Sequence, residues 1–123
     1  YSLIKAAKQI LTMGPKQLII KKGEHGALLF NNEDAFFVPA LPLEEVLDPT
    51  GAGDSFAGGF MGYLAKTGDI SFENMKRALL YGTALASFSV ERFGTENLRL
   101  ITSQQIDSRI QNITNLMSVD LKK

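Results

Sequence analysis

Leu3, Ile4, Ala7, Ile10 and Leu11 recur at intervals of three and four. That spacing predicts an amphipathic helix over residues 2–12, stopped by Gly14-Pro15. The pattern then changes. Leu18-Ile19-Ile20, within residues 17–22, is a continuous apolar run of the kind found in a buried strand of an α/β sheet. Gly23-Glu24-His25-Gly26 reads as a turn, and residues 27–30 as a second strand. Asn31-Asn32-Glu33-Asp34 reads as a polar hairpin turn and residues 35–38 as a third strand. Pro39 and Pro42 bracket a loop, and residues 44–47 read as another short strand.

Helical spacing returns over residues 55–66. Gly58, Gly59 and Gly62 fall inside this helix, where each glycine costs about 1 kcal/mol relative to alanine. Close packing against another backbone is the expected compensation. Thr67-Gly68-Asp69 ends the helix, and Ser71 is placed to cap a long one running to about residue 92. Its second half is apolar nearly all round, which predicts a central position. Gly94 breaks it. Thr102 with Gln105 has the form of a capping box, and Ile106, Ile110, Ile113 and Met117 form the buried stripe of a last helix. Lys122 and Lys123 read as a frayed tail. One helix, a cluster of short strands and three further helices make an α/β unit with no internal repeat or linker. Residues 1–123 therefore read as a single partial domain. The chain starts at Tyr1 inside or just before a helix, so it reads as the C-terminal part of a longer protein.

Composition narrows the functions available. Apolar residues make up 45% of the 123, enough for a real core. Thirteen basic and thirteen acidic residues give a formal charge of +0, which argues against a nucleic-acid surface or an anionic membrane as the partner. The absence of cysteine removes disulfides and thiolate metal sites, and a lone histidine, His25, removes any multi-histidine site within the chain. His25 itself reads as a solvated turn residue. No targeting signal is visible, and the longest uncharged stretch, residues 78–90, is too short to span a bilayer. A cytoplasmic location is the expectation.

The chemistry concentrates in Asp48-Pro49-Thr50-Gly51-Ala52-Gly53-Asp54-Ser55-Phe56-Ala57-Gly58-Gly59-Phe60. An extended entry leads into a glycine turn, a carboxylate and a helix start. Unpaired N–H groups at a helix start attract anions, and small residues let a phosphate approach the backbone. Asp54 adds a proton acceptor at the same point. Two readings stand side by side: a strand-to-helix turn capped by Asp54, or an anion cradle with its own base. Consecutive small residues, the second carboxylate at Asp48 and the small residues that follow favour the cradle. The segment lacks the lysine and spacing of a Walker loop, and it is not the dinucleotide fingerprint.

This segment resembles the signature of the ribokinase-like (phosphofructokinase B type) carbohydrate and nucleoside kinases, D-T-x-G-A-G-D-x-F-x-x-G, departing from it only at Pro49. The resemblance implies a three-layer α-β-α fold, of which this chain is the C-terminal nucleotide-binding and catalytic part. It also implies ATP-dependent phosphorylation of a sugar or nucleoside hydroxyl. Asp54 would be the base, and the backbone of Gly51, Ala52, Gly53 and Asp54 the anion hole. Lys21, Gly23, Glu24 and Gly26 match the nucleotide-side turn, with a plain solvated β-turn as the alternative. Thr83 matches a position near the base, with a hydroxyl bonded to its own helix as the alternative. Asp48 and Thr50, with the carbonyls near Ser89, Arg92 and Gly94, match a monovalent cation site such as one for K⁺. Asp48 reads equally as a turn-capping carboxylate.

Mg²⁺ is implied by the use of ATP, with no ligand assigned. The run Gly82-Thr83-Ala84-Leu85-Ala86-Ser87-Phe88 leans toward the nucleoside-kinase-like branch. The family's sugar-recognition residues, lid and N-x-x-E motif precede this region in relatives, so the 123-residue chain is expected to be inactive alone. An exposed strand edge and apolar surface predict homo-oligomerisation. The alternative function is a non-catalytic nucleotide- or anion-binding module.

Overall fold

The computed structural model describes residues 3–22, 25–42, 52–91 and 101–120, with Glu91 described in its backbone alone. In chain order it contains α1 (Leu3–Leu11), β1 (Leu18–Lys21), β2 (Ala27–Phe30), β3 (Ala35–Val38), α2 (Ala52–Thr67), α3 (Phe72–Glu91) and α4 (Ser103–Met117). The strands form an antiparallel meander in the order β1-β2-β3. The expected fourth strand at residues 44–47 and the break at Gly94 lie outside the described residues.

Cross-strand register sorts the side chains by face. Leu18, Phe30 and Ala35 stand in one row and Ile20, Leu28 and Phe37 in another. Successive residues of a strand point to opposite sides, so these rows share a face. There Leu18, Ile20, Leu28 and Phe30 pack with Ala7 and Leu11 of α1. The intervening rows, Ile19–Leu29–Phe36 and Lys21–Ala27–Val38, face the other way. Leu29 and Val38 are fully buried there in the main core with Phe56, Phe60, Leu79, Phe88 and Ile113 from α2, α3 and α4. The result is the expected three-layer α-β-α arrangement: α1, the sheet, and the three later helices.

β1 is half-buried, whereas its apolar run predicted a buried strand. The run cannot show that β1 stands at the edge of the described sheet, while β2, paired on both sides, is the buried strand. Gly26 has φ +100, and a Cβ there would collide with the carbonyl oxygen of Val38, so this turn admits only glycine. The second hairpin turns as expected. Asn31 Oδ1 accepts the backbone N–H of Glu33 at 2.9 Å and also that of Asp34.

Local signals fix the helix ends. Gly68, at φ +65, closes α2 by donating its N–H to the Leu64 carbonyl at 2.8 Å. Ser71 then caps α3, its hydroxyl accepting the Asn74 N–H at 3.2 Å. Buried Asn74 ties the corner together, donating from Nδ2 to Thr67 Oγ1 (2.8 Å) and to the Asp69 carbonyl (2.7 Å). The Asp69 carboxylate accepts the Ser71 N–H at 2.8 Å, a bond that holds it below its ordinary pKa. Lys76, at 2.8 Å, holds Glu73 below its own. Thr102 and Gln105 form a complete capping box on α4, a device worth about 1 kcal/mol. Ile106 and Ile113 are buried, and Ile110 and Met117 are half-buried against the same core.

Helices α2 and α3 pack closely, but through a different set of glycines from the one expected. A Cβ on Gly59 would lie 3.1 Å from the Gly82 Cα and 2.7 Å from Leu85 Cδ1. A Cβ on Gly82 would lie 2.7 Å from the Phe56 carbonyl oxygen. Gly58 and Gly62 instead meet nothing within 4 Å among the described residues. One face of a helix can pack against α3, and Gly58 and Gly62 are on the other.

Candidate active site

The first turn of α2 sets the site. The helix starts at Ala52, three residues before the expected start at Ser55. A glycine weighs little there, because the first turn has no intrahelical N–H bonds to lose. Asp54 is consequently the third helical residue and not the cap, and its side chain is exposed. The N–H groups of Ala52, Gly53 and Asp54 are those that helix geometry leaves without an intrahelical acceptor. Gly51, the fourth expected member of the anion hole, lies outside the described residues.

Strand geometry brings Lys21 to the same place. It ends β1 in the row that faces α2, beside the small Ala27. Its Nζ lies 3.2 Å from where a Cβ of Gly53 would stand and 4.9 Å from the centroid of the Phe56 ring. A cation over an aromatic face gains about 0.5–1 kcal/mol when exposed. Lys21 and Asp54 form no ion pair; among the described residues, Lys76 with Glu73 does. Sequence reading named Lys21, Gly53 and Asp54 separately and missed Phe56 as the ring that holds the lysine. The signal was present, since Phe56 is the aromatic position of the Asp54-Ser55-Phe56 motif.

The remaining expected residues are placed less tightly. Gly26 serves the turn geometry described above, and Gly23 and Glu24 lie outside the described residues. His25 is exposed, as expected. Thr83 Oγ1 donates to the Leu79 carbonyl at 2.8 Å. Its proton is used within the helix, and it can offer a ligand only a lone pair. Of the expected cation site, Asp48, Thr50, Arg92 and Gly94 lie outside the described residues. Ser89 is fully buried, and its hydroxyl has no partner among the described residues. Such an orphaned polar atom fits a nearby bound ion. Among the described residues no group of three or more acidic or histidine side chains could hold a metal. A separate cleft of about 380 Å³, between α3 and α4, shares no residue with this site.

The family model described as "pfkB family carbohydrate kinase" matches residues 2–102. The chain belongs to this family. Among curated pfkB-family relatives, it is 37% identical over 92 residues to the deoxyribokinase of Salmonella typhi, a match covering 75% of this chain and 28% of the relative. It is 33% identical over 94 residues to a nucleoside kinase of Methanocaldococcus jannaschii, covering 76% and 29%. The solved structure of a ribokinase from Thermotoga maritima superposes with a TM-score of 0.71 at 30% identity, over 90% of this chain and 35% of that one. The α/β architecture is therefore that of the ribokinase fold. The chain spans less than a third of the length of these curated relatives. No described helix is long and apolar enough to cross a membrane.

Proposed function

We propose that the intact protein carrying this chain transfers the γ-phosphoryl group of ATP to a hydroxyl of a sugar or nucleoside. The observation that carries the reading is the position of Asp54 in the first turn of α2, beside the unpaired N–H groups and Lys21. The substrate hydroxyl oxygen forms a bond to the γ-phosphorus, and its proton passes to the Asp54 carboxylate. The bond from the γ-phosphorus to the bridging oxygen breaks, and ADP leaves with that electron pair. The N–H groups of Gly51, Ala52, Gly53 and Asp54 receive the charge that develops on the phosphoryl oxygens. Lys21, Gly23, Glu24, Gly26 and Thr83 make the nucleotide side of the site.

Mg²⁺ bound with ATP would supply charge neutralisation on the phosphates. The residues Asp48, Thr50, Ser89, Arg92 and Gly94 would hold a monovalent cation such as K⁺ behind the anion hole. The dependence on ATP supports a cytoplasmic setting. The half-exposed edge strand β1 and the exposed Ile4, Met13 and Phe37 support a homo-oligomer.

The test is a panel of sugars and nucleosides with ATP and Mg²⁺. Asp54→Asn in the intact protein is expected to lower kcat by at least about a hundredfold while ATP affinity changes little. The 123-residue chain alone is expected to turn over nothing, because it spans so little of its relatives' length. Near-normal turnover by Asp54→Asn would refute the assignment of the base. ATP binding by the wild type without turnover of any acceptor would favour a non-catalytic binding module.

A further inference from the structure

We infer that Lys21 completes the anion hole, its ammonium meeting the transferring γ-phosphoryl group so that it acts on the reaction step and not only on nucleotide affinity. The inference rests on the kinase reading above and deepens it by placing one residue of the nucleotide turn at the reacting phosphorus. The first ground is position. The pleat of β1 sends Lys21 to the start of α2, and Nζ comes within 3.2 Å of the Gly53 Cβ position. Gly53 is the second residue of that helix, so the ammonium lies beside the helix turn whose N–H groups a phosphoryl oxygen would meet.

The second ground is electrostatic. A cation beside the N-terminus of a helix opposes the helix dipole and is unfavourable by itself. The arrangement becomes favourable when an anion lies between the ammonium and the N–H groups. The Phe56 ring, 8% exposed, keeps the ammonium in this position at 4.9 Å. The third ground is the absence of an ion pair with Asp54. A lysine bound to that carboxylate would neutralise the proton acceptor, whereas here the two charges keep separate tasks.

In the transfer step Lys21 keeps its protons and contributes charge alone. Backbone N–H groups give directed hydrogen bonds but no net charge, and the equatorial oxygens of a phosphoryl group in flight are anionic. The ammonium supplies the countercharge at that point. On this placement Lys21 meets the γ-phosphate and not the α- or β-phosphate, so its removal distinguishes triphosphate from diphosphate.

The experiment uses the intact protein with Lys21→Met and Lys21→Arg. It measures kcat and KM for ATP, and by calorimetry the affinities for ADP and for the non-hydrolysable triphosphate AMP-PNP, both with Mg²⁺. Lys21→Met is expected to lower kcat about a hundredfold. It is expected to weaken AMP-PNP by more than about tenfold with ADP within about threefold of wild type, while Lys21→Arg recovers most of both losses. A kcat within about threefold of wild type, equal losses for ADP and AMP-PNP, or an arginine variant no better than methionine would each overturn the inference. Should Lys21→Met fail to fold, Lys21→Gln gives the same affinity ratio, which does not depend on the folded fraction.

The two readings fail separately. If no sugar or nucleoside is phosphorylated, the kinase reading falls, yet a selective loss of AMP-PNP in Lys21→Met still upholds the placement of Lys21. If turnover depends on Asp54 but Lys21→Met weakens both nucleotides alike, the kinase reading stands and the Lys21 inference falls.

Discussion

Alanine substitution of four glycines in α2 and α3 should split by sign. Gly58 and Gly62 meet nothing within 4 Å among the described residues, so alanine there adds helix propensity without a clash. Each change is expected to stabilise by about 0.5–1 kcal/mol. At Gly82 the new Cβ would lie 2.7 Å from the Phe56 carbonyl oxygen and 3.3 Å from the Phe56 ring, against 3.4 Å for ordinary contact. The helices must separate by about 0.7 Å, and the atom in the way is backbone, which cannot rotate aside. Overpacking of this kind costs about 1–3 kcal/mol, against about 1 kcal/mol of gained propensity, for a net loss of about 0–2 kcal/mol. Gly59→Ala should fall between, since its nearest obstacle is the movable end of Leu85. Urea denaturation followed by circular dichroism reads these differences as midpoint shifts at constant slope. The displacement also reaches the site, because Phe56 is two residues from Asp54. A shift of that size at the reacting groups should lower kcat by about tenfold or more in Gly82→Ala. Stabilisation by Gly82→Ala, or destabilisation by Gly58→Ala and Gly62→Ala to the same extent, would refute the packing argument.

Two further outcomes follow from the surface. The folded-state pKa of Asp69 is lowered from its ordinary 3.8, chiefly by the Ser71 N–H. A depressed carboxylate stabilises the fold above its unfolded value, and that contribution is lost as pH falls through the folded value. The stability difference between wild type and Asp69→Ala should therefore shrink as pH drops below 3.8, and acid titrations of urea midpoints that stay parallel would contradict this. Sedimentation velocity should find the protein as a dimer or larger, as the exposure of Ile4 (56%) and Met13 (73%) suggests. A monomer up to about 100 μM would count against that.

Where one segment carries the whole signal, the sequence is a good guide. Ser71, Thr102 with Gln105, and Gly68 act within four residues of themselves, and each performs as read. The Asn31 turn and the strands on either side of it do the same. Two of the misplaced features depend on partners distant in sequence. An apolar run such as Leu18-Ile19-Ile20 does not reveal whether a strand has neighbours on both sides. Three similar glycines in α2 do not reveal which one meets Gly82. The GAGD segment reads as a candidate anion site from its residue types, yet the start of α2 at Ala52 does not show there, because glycine reads as a breaker although the first turn tolerates it. Lys21 and Phe56 are 35 positions apart, and only the pleat of β1 shows that they meet.

That last contact joins packing to chemistry. Gly82 has no side chain, so the Phe56 backbone can sit against α3. The same residue offers its ring to Lys21, and Asp54 lies half a turn earlier on the same helix. The closeness of α2 to α3 therefore sets the position of Phe56, and through it the distance between the helix start and the end of β1. A catalytic centre spread over loops would be free to adjust if one helix moved. Here the proposed base and the ammonium proposed to meet the phosphoryl group stand on two rigid elements joined by one aromatic ring. Errors in helix packing should consequently appear as lost turnover before they appear as lost fold, and Gly82→Ala is the substitution in which the two losses can be measured side by side.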